Sequence, residues 1–185
     1  MKHPINKPLL SLRTEAAFER LFPDVSTRNP RVCLYWAAAA MHALHDAGLN
    51  PTLQAGTLNW PITPTHLDDG ISPTHFSYEF EPEHPLSLLA MATGNLPEMH
   101  VWVKLQDTGE TIDFTTRFLK EQFSQMTCGL KWRTPEPPNT LWSKKLPLNV
   151  FYRPDPRAIE IAHQALKLMK ISLPQHPRIQ TSRSR

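Results

Sequence analysis

Met99-His100-Val101-Trp102-Val103-Lys104-Leu105-Gln106-Asp107-Thr108-Gly109-Glu110-Thr111-Ile112-Asp113-Phe114-Thr115 reads as two short strands joined by a turn. Residues 99 to 105 and 110 to 114 are rich in β-branched and aromatic side chains, and the segment between them carries turn formers, so the stretch predicts an antiparallel hairpin. Val101, Val103 and Leu105 fall on one face, His100, Trp102 and Lys104 on the other. Register decides whether Asp113 reaches His100. A four-residue loop, Gln106 to Gly109, pairs Leu105 with Glu110 and sets Asp113 opposite Trp102, diagonal to His100 and roughly 7 Å away between backbones. A two-residue loop at Thr108-Gly109 slides Asp113 about four positions along, about 13 Å at the normal strand rise. A His–Asp pair therefore requires the longer loop or a bulge.

Upstream, Asn29 can cap a helix whose first position suits Pro30, running to about Ala47 with Gly48 just past its end. Val32, Leu34, Tyr35, Trp36, Ala37 to Met41, Ala43 and Leu44 cover nearly every direction around it, the pattern of a buried central helix. Cys33 then lies in or just beyond the first turn, where free N–H groups and the positive end of the dipole favour an anion. A thiolate is the nucleophilic form of cysteine, and a neighbouring imidazolium completes its activation. The plain alternative is a small buried core residue.

The rest of the chain supplies shorter elements. Thr14 is read as the cap of a short helix carrying Ala17, Phe18, Leu21 and Phe22 and ended by Pro23. A strand is expected over 52 to 57, a loop over 58 to 75, and a second strand through Phe76, Tyr78 and Phe80. Residues 85 to 92 fit helix or strand. Thr116 opens a helix to about Met126, and residues 129 to 150 read as an ordered loop with one strand near Asn149 to Tyr152. Asp155 and Pro156 start a last helix with Ala158, Ile161, Ala162, Ala165, Leu168 and Met169 inward. The class is α+β, a buried helix packed on an antiparallel sheet.

The 185 residues are expected to form one domain, 1–172, followed by a basic flexible tail, 173–185. Nineteen prolines predict short elements and structured loops. A net charge of +3, its excess concentrated in the tail, argues against a nucleic-acid partner. Two cysteines, Cys33 and Cys128, do not make a disulfide framework. Residues 1 to 12 lack the apolar run of a signal peptide, and no stretch approaches a membrane span, so the expected location is cytoplasmic. Cys128 reads as a structural thiol, and His42 and His45 as the polar end of the central helix. His66, Asp68, Asp69, His75 and His84 crowd the central segment, but their spacing matches no established metal-ligand motif. No metal and no cofactor is assigned.

Cys33 at a helix start, His100-Val101-Trp102-Val103 on a strand and Ile112-Asp113-Phe114-Thr115 on the next together resemble the transglutaminase-like superfamily over residues 29 to 116. Leu34 follows Cys33 where family members often carry Trp. The resemblance implies a papain-like fold and a Cys-His-Asp triad, with Cys33 as nucleophile, His100 as base and Asp113 as orienting carboxylate. It implies acyl transfer from amide or peptide bonds through a thioester: hydrolysis, deamidation or amine transfer, with a protein or peptide as substrate. The oxyanion would be held by the Cys33 N–H and a second donor, for which Asn29, Asn59 and Trp60 are candidates. Trp60, Tyr78 and Trp102 either line a cleft or fill the core. Two rival readings stay open, a catalytically silent papain-like module that binds a protein, and a metal-dependent hydrolase using the His/Asp-rich segment.

Overall fold

Asn6 opens the first helix, α1 (Lys7–Leu21), by accepting the N–H of Leu9 at 3.1 Å. The helix therefore begins well before the expected cap. Thr14 is instead a fully buried mid-helix residue whose hydroxyl donates to the Leu10 carbonyl at 2.9 Å, which satisfies it on the core-facing side beside Leu10, Ala17 and Phe18. In the second helix, α2 (Cys33–Asp46), nine of the 14 residues are buried. It starts at Cys33, with Val32 at the cap position and no side-chain cap; the expected start at Asn29 and Pro30 lies outside the described residues. Its far end closes as expected: Gly48 N–H donates to His45 O and Leu49 N–H to Leu44 O. Phe18 of α1 packs on Trp36 of α2 with ring centroids 4.5 Å apart.

The structure is a computed structural model that describes residues 5–26, 32–64, 75–127, 132–134 and 136–174. After α2 come β1 (Pro51–Pro61), β2 (Thr63–Pro64), β3 (His75–Tyr78), α3 (Pro85–Ala92), β4 (His100–Leu105) and β5 (Thr111–Asp113). A 3-10 turn (Thr116–Phe118) leads into α4 (Leu119–Met126), then β6 (Trp132–Thr134), β7 (Leu141–Ser143), β8 (Phe151–Pro154) and α5 (Pro156–Leu168). The main sheet runs β3-β1-β4-β5-β7, with β8 also on β1, and a small ladder joins β2 to β6. Every pairing is antiparallel. The fold thus combines helices with an antiparallel sheet, and α2 packs against β4 and β1. No helix among the described residues is long and apolar enough to cross a membrane.

Three further expectations need correction. The loop read from residue 58 onward is the second half of β1, since Leu58 and Trp60 alternate into an apolar cluster and are essentially unexposed. The proline-rich stretch after 129 contains β6 and β7, too short for periodicity to reveal. On α5, Asp155 caps as expected by accepting from Arg157 and Ala158 N–H, but the buried stripe is Ala158, Ala162 and Leu166, and Leu168 is 83% exposed.

β1 organises the sheet through a change of face. Leu53 and Ala55 point into one cluster, shared with α1, α2, α5, β4 and β5. Leu58 and Trp60 point into a second, with Phe76, Leu119, Phe123 and Trp132. The alternation breaks at Gly56, which pairs with His100 on one side and Pro154 on the other. Gly56 has φ +153°, and a Cβ there would stand 2.2 Å from the Arg153 carbonyl oxygen and 2.9 Å from the Asp155 nitrogen. Only glycine lets β8 close on β1 at this point. Residues 58 and 59 pair with both β3 and β8, so β3 and β4 share one edge of β1, end to end. His100 begins β4 at that junction, and the Tyr78 ring that ends β3 stacks on it, centroids 5.3 Å apart at 19°.

Candidate active site

The hairpin adopts the register of the four-residue loop. Leu105 N–H donates to Glu110 O at 2.9 Å, Lys104 pairs with Thr111 and Val103 with Ile112. Gly109, at φ +73°, supplies the left-handed residue that closes the turn. Asp113 therefore falls diagonal to His100 on the same face, and its Oδ2 lies 2.7 Å from His100 Nε2. Both residues are 2% exposed.

Asp113 is held from three further directions. Its Oδ1 accepts the Thr115 N–H at 2.7 Å and the Thr115 hydroxyl at 2.6 Å, an Asx turn that locks the carboxylate to its own backbone. Its Oδ2 also accepts the Tyr152 hydroxyl from β8 at 2.7 Å. Cys33, at the first position of α2, lines one small crevice with Trp102 and Asp113 and adds to the effects that favour the charged form of His100. A thiol at the start of α2, an imidazole at the first position of β4 and a carboxylate at the end of β5 are thus brought into one place.

The electrostatics follow from that arrangement. Burial works against charge on His100, but the Asp113 carboxylate outweighs it by charge and hydrogen bond, Cys33 adds to the effect, and the imidazole is pushed up from 6.5 to about 10. Burial likewise works against the Asp113 anion; the adjacent imidazolium and the Thr115 donors overcome it and hold the carboxyl below its usual range. Burial and then the Asp113 charge raise the Tyr152 hydroxyl well above its ordinary value, so it stays a donor. At neutral pH the buried pair is an ion pair with its proton on His100.

Of the candidate oxyanion and substrate residues, Trp102 is the one that shares a wall with Cys33. It is 3% exposed, and its ring lies 6.2 Å from that of His100 at 17°. Asn59 donates to the Ser77 hydroxyl at 3.1 Å and is engaged with β3. Trp60 belongs to the second cluster rather than to the thiol. Asn29 lies outside the described residues, as do Cys128, His66, Asp68, Asp69 and the tail from 175. His84 caps α3 by accepting the Leu86 N–H, and among the described residues no group of three or more side chains is placed to hold a metal ion. The first N–H groups of α2 have no acceptor within the helix, the earliest helical bond running from Trp36 to Val32.

Sequence reasoning assigned no role to Tyr152. The signal was weak: a tyrosine on a strand whose hydroxyl needs a partner, 39 residues from the carboxylate it binds. Thr115 stood in the quoted Ile112-Asp113-Phe114-Thr115 motif, but its hold on Asp113 was not read from it. An apolar recess of about 320 Å³ includes Leu34 and Tyr35, which follow Cys33, together with Met91, Leu96 and Ile161. Comparison with family models, with curated proteins and with solved structures gives no match for this chain.

Proposed function

We propose that the protein is a cysteine acyl-transfer enzyme, with a transglutaminase-like triad on a papain-like arrangement, that acts on amide or peptide bonds of a protein or peptide. The observation that carries this reading is the buried His100–Asp113 ion pair with the half-buried Cys33 lining the same crevice as Asp113. Cys33 Sγ would attack the carbonyl carbon, forming the C–S bond of a tetrahedral intermediate whose oxyanion would meet the N–H groups opening α2. Collapse breaks the C–N bond, and the His100 proton leaves with the amine. Water then attacks the thioester, returns a proton to His100 and releases the acid as the C–S bond breaks. An amine in place of water gives transfer instead. Hydrolysis is the favoured outcome because water is always available. A free nucleophilic thiol suits a reducing, cytoplasmic compartment.

One observation favours a second reading, a silent protein-binding module: the crevice between Cys33, Trp102 and Asp113 has no room for a water molecule. In that case the thiol would be reached only from its exposed side. Acylation separates the two. Incubation with p-nitrophenyl acetate followed by peptide mass spectrometry is expected to show an acetyl thioester on Cys33 that hydroxylamine removes, and no such adduct in His100→Ala. Absence of the adduct from the wild type would refute the enzymatic reading.

A further inference from the structure

We propose that Tyr152 is a positioning residue of the site: by sharing the Asp113 oxygen that holds His100, its hydroxyl eases the release of the imidazole proton on which both halves of the acyl-transfer cycle depend. This rests on the acyl-transfer reading and adds to it the group that governs its proton steps. Tyr152 lies on β8 and Asp113 on β5, and these strands are not neighbours. β8 pairs with β1, and β1 and β4 stand between it and β5. The tyrosine side chain reaches across both strands to place its hydroxyl 2.7 Å from Asp113 Oδ2. Its ring is braced on the way, edge-on to Trp102 at 5.2 Å and 71°, and 6.1 Å from the His100 ring at 60°.

A buried anion needs donors, but Asp113 has three without this one. Oδ1 accepts the N–H and the hydroxyl of Thr115, and Oδ2 accepts His100 Nε2. A carboxylate takes about four hydrogen bonds in all. Tyr152 supplies the fourth, on the oxygen that faces the imidazole rather than on the far one. A donor at Oδ2 draws off charge that would otherwise bind the imidazolium, so it makes His100 a stronger acid. That matters here because Asp113 pushes His100 up to about 10, whereas general acid–base catalysis is fastest when the group titrates near the working pH. Tyr152 opposes this hold and stays a donor itself, since burial and the Asp113 charge push its own titration well up.

No other charged group competes for the role. The pair is faced by Cys33 of α2, which favours the charged imidazole, by the Tyr78 ring of β3, by Trp102 of β4, by Thr115 after β5 and by Tyr152 of β8. Among the described residues the ion pair of Asp113 is with His100, and no lysine or arginine shares the carboxylate. Nε2 keeps its proton against Asp113, so the proton that travels is that of the other ring nitrogen. It leaves with the amine as the C–N bond breaks, and a water proton replaces it when the thioester is hydrolysed.

The second of these steps is directly readable. The acetyl thioester formed on Cys33 by p-nitrophenyl acetate is followed as it decays, by peptide mass spectrometry across pH, in three proteins: wild type, Tyr152→Phe, and the chain with 3-fluorotyrosine at position 152. Hydrolysis needs the neutral imidazole as base, so its rate climbs with pH until His100 has lost its proton. Phenylalanine keeps the ring and removes the donor. Its climb is expected about one pH unit higher than in wild type, with decay about tenfold slower on the rising part of the curve. Fluorotyrosine has nearly the same shape and donates more strongly, so its climb is expected at lower pH than in wild type. This arm carries the test by itself where the phenylalanine variant does not fold or acetylate. A structural role for Tyr152 would move the unfolding temperature of the variants but not the position of the climb. Equal pH dependence of decay in the wild type and the variants overturns the proposal, as does a shift in the same direction for both. A wild type that forms no thioester takes down the acyl-transfer reading, and the proposal with it.

Discussion

Cys33→Ala is expected to lower turnover of p-nitrophenyl acetate by at least about 10⁴-fold, as removal of a nucleophile does in cysteine and serine acyl transfer. The fold should be unaffected. Cys33 occupies the first position of α2 and is only half-buried, and alanine is the better helix former. The unfolding free energy should change by less than about 1 kcal/mol, the range of a substitution that opens no cavity and strands no charge. The His100–Asp113 pair survives in the variant, since the carboxylate is also held by Thr115 and Tyr152. Steady-state kinetics and thermal unfolding on the same sample make the comparison. Turnover retained in a folded variant would move the chemistry away from this residue.

The second large effect is on stability. Asp113→Ala is expected to destabilise the protein by about 3–5 kcal/mol, because it strands a buried imidazolium. It also orphans three further donors, the Tyr152 and Thr115 hydroxyls and the Thr115 N–H. The dependence on pH follows from the directions of the two shifts. His100 is raised, so its contribution is complete below its ordinary value of 6.5 and is lost as the pH climbs toward about 10. Asp113 is lowered, so its contribution is complete above its ordinary value of 3.8 and is lost as the pH falls through the depressed folded value. The pair therefore stabilises most between 3.8 and 6.5. Denaturant titrations across pH should show wild-type stability declining on the alkaline side, and Asp113→Asn should flatten that decline. A wild-type profile that rises from 6.5 upward would contradict the buried ion pair.

The hairpin was legible because its information is local. The turn residues Gln106 to Gly109 limit the register to two options, and in the observed one Asp113 is diagonal to His100. The buried helix was equally plain, since a helix apolar in every direction must be enclosed on all sides. What stayed hidden depends on distant parts of the chain. Thr14 resembles a cap when only its immediate neighbours are read, but Asn6 and Pro8 initiate the helix earlier, and a buried threonine can return its hydroxyl to the preceding turn. β6 and β7, three residues each, are defined by their partners rather than by any pattern of their own. The clamp of Tyr152 on Asp113 requires β8 to pair with β1 beside Gly56, a meeting of strands that no local window contains.

The central claim is that His100 sets the reactivity of Cys33. The direct measurement is the rate of Cys33 alkylation by iodoacetamide against pH, read by peptide mass spectrometry in wild type and in His100→Ala. With an imidazolium against the thiol, Cys33 should react at about pH 6 on the order of 10 to 100 times faster in wild type than in the variant, where the thiol loses its cationic partner. Equal rates in the two proteins across the range would contradict the account.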